Sequence, residues 1–143
     1  MENNTTQKRI LIVEDDESLL RGLSDKFSRE GFVVSLASNG IEGFSSAMMN
    51  HPDVILLDIV MSEMDGLTML EKLRAANDWG KTASVVFLTN LSPDSNEIMA
   101  KITKNEPAFY LVKSEFLLSD VVAKVRECIA AKGDDGGKVD ATQ

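Results

Sequence analysis

Short aliphatic runs alternate with stretches of helical spacing along most of the chain, and this alternation restricts the possible folds more than any other feature. The clearest runs are "RILIV" (residues 9–13), "DVILLD" (53–58) and "SVVFLT" (84–89). A continuous apolar run of this length indicates a strand that is covered on both faces. Two further runs, "FVVSL" (32–36) and "FYLV" (109–112), bring the number of predicted strands to five.

A helix is predicted after each strand. After the first strand, an apolar stripe within residues 15–29 has the spacing of one helix face. The other helices are predicted to follow "SNG" (38–40) and "DG" (65–66), and to begin at "SPD" (92–94) and near Phe116. Five βα units predict a single α/β domain with a doubly wound, five-stranded parallel sheet and five helices. Right-handed crossovers leave few topologies, and the flavodoxin-like order 2-1-3-4-5 is one of the two common ones.

Composition excludes several classes of protein. The net charge of −8 argues against a nucleic-acid surface and against an anionic membrane as partner. No apolar run approaches the ~20 residues that span a bilayer, so membrane insertion is not expected. A single cysteine cannot form an internal disulfide, and a cytoplasmic location is predicted. Residues 1–7 and the polar, Gly-rich residues 132–143 are predicted to be disordered, which leaves one domain over residues 8–131.

Charged and hydroxyl-bearing residues collect where the predicted strands end. Glu14 and Asp15 follow the first strand, Asp58 ends the third, Thr89 ends the fourth and Lys113 follows the fifth. The carboxyl ends of parallel strands meet at one edge of a sheet, where ligands bind in such folds. Asp58 comes directly after four aliphatic residues, and a buried carboxylate is expensive unless it is bound to something.

The residue types at this edge suit phosphoryl chemistry. Two unit charges ~4 Å apart interact by about 4 kcal/mol at an effective dielectric near 20, so crowded carboxylates favour binding of a cation. Oxygen ligands without Cys or His favour a hard ion such as Mg²⁺. The ammonium of Lys113 and the hydroxyl of Thr89 are the groups that a phosphoryl group beside the metal requires. Asp58 is then the natural nucleophile, which accepts the phosphoryl group as an acyl phosphate.

These motifs resemble the receiver domain of two-component response regulators, in the CheY-like superfamily, from about residue 8 to residue 131. The resemblance is carried by "ILIVEDDESLL", "ILLDIVMSEMDGL", "VVFLTN" and "YLVKS". It implies that a histidine kinase or phosphotransfer protein phosphorylates Asp58, which changes how the face of helix four, strand five and helix five binds a downstream protein. It implies a switch rather than an enzyme that turns over an external substrate. With no output domain expected, the chain is either a single-domain regulator or a piece of a longer one.

The resemblance also assigns individual roles. Glu14 and Asp15 correspond to the acidic pair of the metal site, which Asp58 and the backbone carbonyl of Val60 complete. Thr89 corresponds to the hydroxyl residue that contacts the phosphoryl group, and Lys113 to the lysine of the family. Tyr110 corresponds to the aromatic residue whose rotamer changes on activation.

Several positions depart from the family pattern. Ser62 and Ser114 stand where the family usually has proline, and a cis bond before Ser114 would cost roughly 3 kcal/mol. Asn90 stands where alanine is usual, which narrows access for the phosphodonor or adds a hydrogen bond to the phosphoryl group. Val60 and Leu91 occupy the positions that flank the hydrolytic water in receivers. Neither side chain can orient or deprotonate a water, so the resemblance predicts a long-lived phosphorylated state.

Three other functions fit the sequence less well. A haloacid-dehalogenase-like phosphatase also uses a strand-end aspartate and Mg²⁺, but it needs a second aspartate where this chain has Val60. A flavin-binding flavodoxin would need a phosphate-binding loop where this chain has the acidic "VEDDESL". A scaffold that keeps the fold without being phosphorylated would not need the complete set of acids, threonine and lysine.

Five further residues are predicted to have structural roles. Asp16 is predicted to favour the first turn of its helix and is a weaker site candidate, and Asp65 is predicted to cap or open the third helix. His51 and Trp79 are predicted to lie in loops, with Trp79 over the edge of the core. Cys128 is predicted to pack on the apolar face of the last helix.

Overall fold

The computed structural model describes residues 7–61, 63–89, 108–112 and 117–134, and in it strands and helices alternate over most of this length. The strands are β1 (Arg9–Val13), β2 (Val33–Ala37), β3 (Val54–Leu57), β4 (Val85–Thr89) and β5 (Ala108–Val112). The helices are α1 (Glu17–Arg29), α2 (Gly40–Asn50), α3 (Gly66–Ala76), α4 (Asp78–Thr82) and α5 (Leu118–Asp134).

The five strands form one parallel sheet in the order β2-β1-β3-β4-β5, as predicted. β3 is central and its four residues are all buried, which explains its unbroken aliphatic sequence. Val13 at the end of β1 lies opposite both Ala37 of β2 and Leu57 of β3. The residues that follow these three strands therefore emerge side by side at one edge of the sheet.

Each face of the sheet carries its own hydrophobic core, as a doubly wound fold requires. On one face, Leu11, Ile55 and Phe87 pack with residues of α2 and α3. On the other, residues that alternate with these along the strands pack with α1 and α5. The second cluster contains Ile10, Ile12, Val54, Leu56, Val86 and Leu88 from the strands, and Leu23, Phe27, Val121, Val125 and Cys128 from the helices. Successive residues of each strand thus point into opposite cores. Cys128 is buried in the second core, which confirms its predicted packing.

Short polar side chains start the helices that lead away from the carboxyl edge of the sheet. Asp16 accepts hydrogen bonds from the backbone N–H groups of the first turn of α1. Asn39 accepts one from Glu42 at 2.9 Å, and Asp65 accepts one from Thr68 at 2.8 Å. These caps satisfy backbone donors that a helix start leaves without partners, and they confirm Asp65 as a helix cap.

The elements differ from the predicted ones at their ends. α1 begins at Glu17 rather than at residue 15, because the side chain of Asp16 caps it. α5 runs to Asp134, so residues 132–134, predicted to be disordered, are helical. The predicted helix after "SPD" (92–94) lies outside the described residues.

The short helix α4 was not predicted. Asn77 caps it by accepting a hydrogen bond from Gly80 at 2.7 Å. Arg74 of α3 donates to the carbonyl oxygens of Gly80 and Ala83, both at 2.8 Å, and so supplies donors at the end of α4. Trp79 therefore lies in a helix rather than in a loop, although it packs against the core as expected.

Candidate functional site: an acidic cluster at the carboxyl edge of the sheet

Asp58 and Glu14 are positioned by backbone hydrogen bonds that continue the sheet beyond its strands. The N–H of Asp58 donates to the carbonyl oxygen of Val13 at 3.0 Å. The N–H of Glu14 donates to the carbonyl oxygen of Ala37 at 3.1 Å. Because each bond joins neighbouring strands, the acids that follow β1 and β3 are fixed beside each other.

Three carboxylates meet at this edge. One carboxylate oxygen from each of Glu14, Asp15 and Asp58 can be chosen so that all three lie within 4.8 Å of one another. Glu14 is 2% exposed and Asp58 is 6% exposed, whereas Asp15 reaches solvent. The cluster therefore has a buried base and an open side. The structure thus brings together the three acids that the sequence predicted to lie together.

Hydrogen bonds of Glu14 and Asp16, the residues on either side of Asp15, fix the backbone around Asp15. The backbone N–H of Asp16 donates to Oε2 of Glu14 at 3.0 Å. The carboxylate of Asp16 is in turn engaged by the N–H groups of Ser18 and Leu19, at 3.0 and 3.2 Å. Asp16 is therefore the N-cap of α1 rather than a residue of its first turn, which the sequence predicted. Asp15 is held between two neighbours that are both fixed by hydrogen bonds.

The chain that follows Asp58 packs closely against the start of α3. The N–H of Gly66 donates to the carbonyl oxygen of Ile59 at 2.8 Å. A Cβ atom on Gly66 would overlap the carbonyl oxygen of Asp58, so only glycine allows this approach. Val60 projects from this stretch with 58% of its surface exposed, beside the acidic cluster in sequence.

The remaining predicted site residues are described only in part. Thr89 is the last residue of β4 and pairs with Val112 of β5, so its backbone lies at the same edge of the sheet as Asp58. Tyr110 pairs with Phe87, two residues before that edge. The other predicted site residues and the other positions that differ from the family pattern lie outside the described residues. They are Ser62, Asn90, Leu91, Lys113 and Ser114.

The acidic cluster has the donor set that a hard divalent cation prefers. All three side chains offer oxygen, and Mg²⁺ is usually bound by one or two carboxylates together with water and phosphate oxygens. A buried base with one exposed carboxylate leaves room for such additional ligands. These residues therefore fit Mg²⁺.

Two supports of the site were missed from sequence. Gly40 at the start of α2 donates its N–H to the carbonyl oxygen of Met64 at 3.0 Å, which ties α2 to the chain that follows Asp58. Glu63 in that chain has a left-handed backbone with φ of 65°. The signals "NG" and "DG" predict turn and cap chemistry at both helix starts, but they do not reveal the contact between Gly40 and Met64.

A parallel, doubly wound α/β sheet defines a class of domain in which ligands bind beyond the carboxyl ends of the strands, where this chain has its acidic cluster. Within this class, the chain matches the family model "Response regulator receiver domain" over residues 10–126. The chain therefore belongs to the receiver domain family of two-component response regulators, which are signalling switches rather than enzymes acting on an external substrate.

Relatives and solved structures agree with this assignment. The chain is 32% identical over 133 residues to the transcriptional regulatory protein PrrA of Mycobacterium bovis, covering 93% of this chain and 54% of that protein. It is 33% identical to the transcriptional regulatory protein CusR of Escherichia coli strain K12, covering 82% of this chain and 49% of that one. The Francisella response regulator 1452 receiver domain has a TM-score of 0.76 at 25% identity, covering 88% of this chain and 99% of that one.

The chain spans about half the length of the curated relatives it matches. None of the helices among the described residues is long and apolar enough to cross a lipid bilayer.

Proposed function

We propose that Asp58 is the phosphoacceptor of this receiver domain. The observation that carries the proposal is the meeting of Glu14, Asp15 and Asp58 at the carboxyl edge of the sheet, with their oxygens within 4.8 Å. In the reaction, an oxygen of Asp58 attacks the phosphorus of a phosphohistidine on a histidine kinase or phosphotransfer protein. The P–O bond to Asp58 forms, the P–N bond breaks, and the released imidazole takes up a proton.

Glu14, Asp15, Asp58 and the carbonyl oxygen of Val60 would hold Mg²⁺ in this proposal. The ion would neutralise the carboxylates and bind phosphoryl oxygens. The residues of the chain position the carboxylates. β3 and its bond to Val13 hold the attacking carboxylate at the open edge, and Glu14 supports Asp15 through the N–H of Asp16.

Thr89 and Lys113 are proposed to bind the phosphoryl group with a hydroxyl and an ammonium group. The position of Thr89 at the end of β4, next to β3, supports its part in this. Thr89 and Tyr110 would then change position on phosphorylation. The face that includes β5 and the last helix would change its affinity for a downstream protein.

Val60, Asn90 and Leu91 are proposed to set the lifetime of the acyl phosphate. The exposed, aliphatic side chain of Val60 supports slow hydrolysis, because it offers no group to orient or deprotonate a water.

The test is phosphorylation of the purified protein by acetyl phosphate or a phosphorylated kinase, followed by intact mass. We expect one Mg²⁺-dependent phosphoryl group on the wild type and none on Asp58→Asn. The matched control is Asp53→Asn, the same change at the other end of β3, which should be labelled like the wild type. Labelling of Asp58→Asn at the wild-type rate would contradict the proposal.

A further inference from the structure

The chain between β3 and α3 carries the proposed phosphoacceptor and is called here the phosphoacceptor loop (residues 58–61 and 63–65). Its own neighbours hold it at both ends. The N–H of Asp58 bonds to Val13, and the N–H of Gly66 bonds to Ile59. Between these ends Glu63 has a φ of 65°, a conformation that residues other than glycine rarely adopt. A backbone of this kind persists only when contacts around it hold it in place.

The start of α2 supplies such a contact from outside the loop. The N–H of Gly40 donates to the carbonyl oxygen of Met64, the residue after Glu63. A Cβ atom on Gly40 would overlap that oxygen and would lie 2.8 Å from the Cβ of Met64. The φ of Gly40 is not positive, so its backbone would accept other residues. The need for glycine here comes from the closeness of the loop.

The start of α2 cannot easily withdraw to relieve such a clash. Oδ1 of Asn39 accepts the N–H of Glu42, and its carbonyl oxygen accepts the N–H of Gly43, both at 2.9 Å. Gly43 in turn lies close to the side chains of Val13 and Met69. The first turn of α2 is therefore fixed both by its cap and by packing on the sheet. A side chain at position 40 would displace the phosphoacceptor loop.

We infer that Gly40 is a positioning residue for the phosphoacceptor loop, an inference that rests on the proposed function of Asp58. Its hydrogen bond to Met64 and its missing side chain set the loop's path. That path fixes where the backbone of Val60 lies relative to the carboxylate of Asp58. Gly40 touches neither metal nor phosphoryl group, and it acts only through the loop.

The test is Gly40→Ala, with two quantities measured on folded protein. The dissociation constant for Mg²⁺ is measured by calorimetry, and the initial rate of acetyl phosphate labelling is measured by intact mass. We expect weaker Mg²⁺ binding and a slower rate, by about ten-fold or more, because misplacing reacting groups by 1 Å costs up to about 100-fold.

Two glycines provide matched controls. A Cβ on Gly80, in α4, would overlap the carbonyl oxygen of Leu73, so Gly80→Ala creates a backbone clash like that of Gly40→Ala but in the second half of α3, away from the phosphoacceptor loop. A Cβ on Gly22 in α1 would meet nothing within 4 Å. Gly80→Ala should lower the melting temperature and keep both site readouts near wild type, and Gly22→Ala should leave all three quantities unchanged or slightly improved.

The outcomes separate this inference from the proposed function. If the wild type is labelled, and Gly40→Ala binds Mg²⁺ and is labelled equally well, the inference about Gly40 is overturned and the proposed function stands. An equal loss of Mg²⁺ affinity and labelling rate in Gly80→Ala would also overturn it, since general destabilisation would then explain the loss. A wild type that binds Mg²⁺ but is not labelled would refute the proposed function, and Mg²⁺ affinity would still test Gly40. If Gly40→Ala does not fold, Mg²⁺ is titrated into the ¹⁵N-labelled wild type. The amide signal of Gly40 should shift while that of Gly22 does not, and an unshifted Gly40 amide would overturn the inference.

Discussion

Replacing Asp58 with asparagine removes one of three clustered negative charges while keeping the size of the side chain. The carboxylate oxygens of Glu14, Asp15 and Asp58 approach within 4.8 Å of one another. At that distance and an effective dielectric near 20, each pair of unit charges repels by about 3.5 kcal/mol. The Glu14–Asp58 pair is buried and keeps much of this repulsion, whereas the exposed Asp15 is screened by solvent.

We therefore expect Asp58→Asn to raise the free energy of unfolding in metal-free buffer by about 1–3 kcal/mol, since the other contacts of Asp58 offset part of the relief. The assay is urea unfolding followed by circular dichroism, with EDTA and then with Mg²⁺. Mg²⁺ at ten times its dissociation constant should stabilise the wild type by about 1.4 kcal/mol. The variant should gain much less, because it lacks one of the three carboxylates.

Asp53→Asn is the matched control for this experiment. Oδ2 of Asp53 accepts the N–H of Arg9 at 2.8 Å, and Asp53 is not one of the clustered acids. Its replacement should leave stability unchanged or lower it by up to about 1 kcal/mol, with no change in the response to Mg²⁺. A metal-free Asp58→Asn protein that is no more stable than the wild type would refute the argument from charge crowding.

Three further variants test other parts of the structure. Val60→Asn should shorten the half-life of the phosphorylated protein several-fold, since asparagine can orient a water; a half-life of seconds that this change does not shorten would count against Val60 as a determinant. The pKa of Glu30 lies below its ordinary value of 4.5 because Arg126, and then Lys26, hydrogen-bond its carboxylate. The stabilisation that the Glu30 carboxylate contributes is therefore complete above pH 4.5 and is lost as the pH falls through the lowered pKa. Glu30→Gln should have a lower melting temperature than the wild type at pH 7 and the same melting temperature in acid. Burial lowers the pKa of Arg74 to about 10, which leaves it charged at pH 7 as a donor to two carbonyls. Arg74→Met should cost about 1–3 kcal/mol in urea unfolding and leave labelling unchanged.

The sheet could be predicted because its signal is local and repeated. Each aliphatic run predicts a strand, and each apolar stripe with helical spacing predicts a helix, so the order of elements follows from the sequence alone. The acidic cluster could be predicted for a related reason. Once the strands are parallel, the residues after β1 and β3 must share one edge.

Other features escaped because their cause is not local. The helix α4 has five residues and no apolar stripe, and it depends on Asn77 and on donors from Arg74. Gly40 looks like turn chemistry in the sequence, yet its contact is with Met64, 24 residues away in the chain. Such requirements for space become visible only when the two backbones are placed together.

The two ends of β3 show why Asp58 is more than a strand terminus. The four residues between Asp53 and Asp58 are fully buried, so each aspartate flanks one end of the same hydrophobic strand. At the amino end, the carboxylate receives a backbone N–H from Arg9, which is all that a strand end requires. At the carboxyl end, the carboxylate is placed with two like charges, one of which is almost completely buried. A strand end alone does not account for that crowding, whereas three clustered carboxylate oxygens are the donor set that a hard cation prefers.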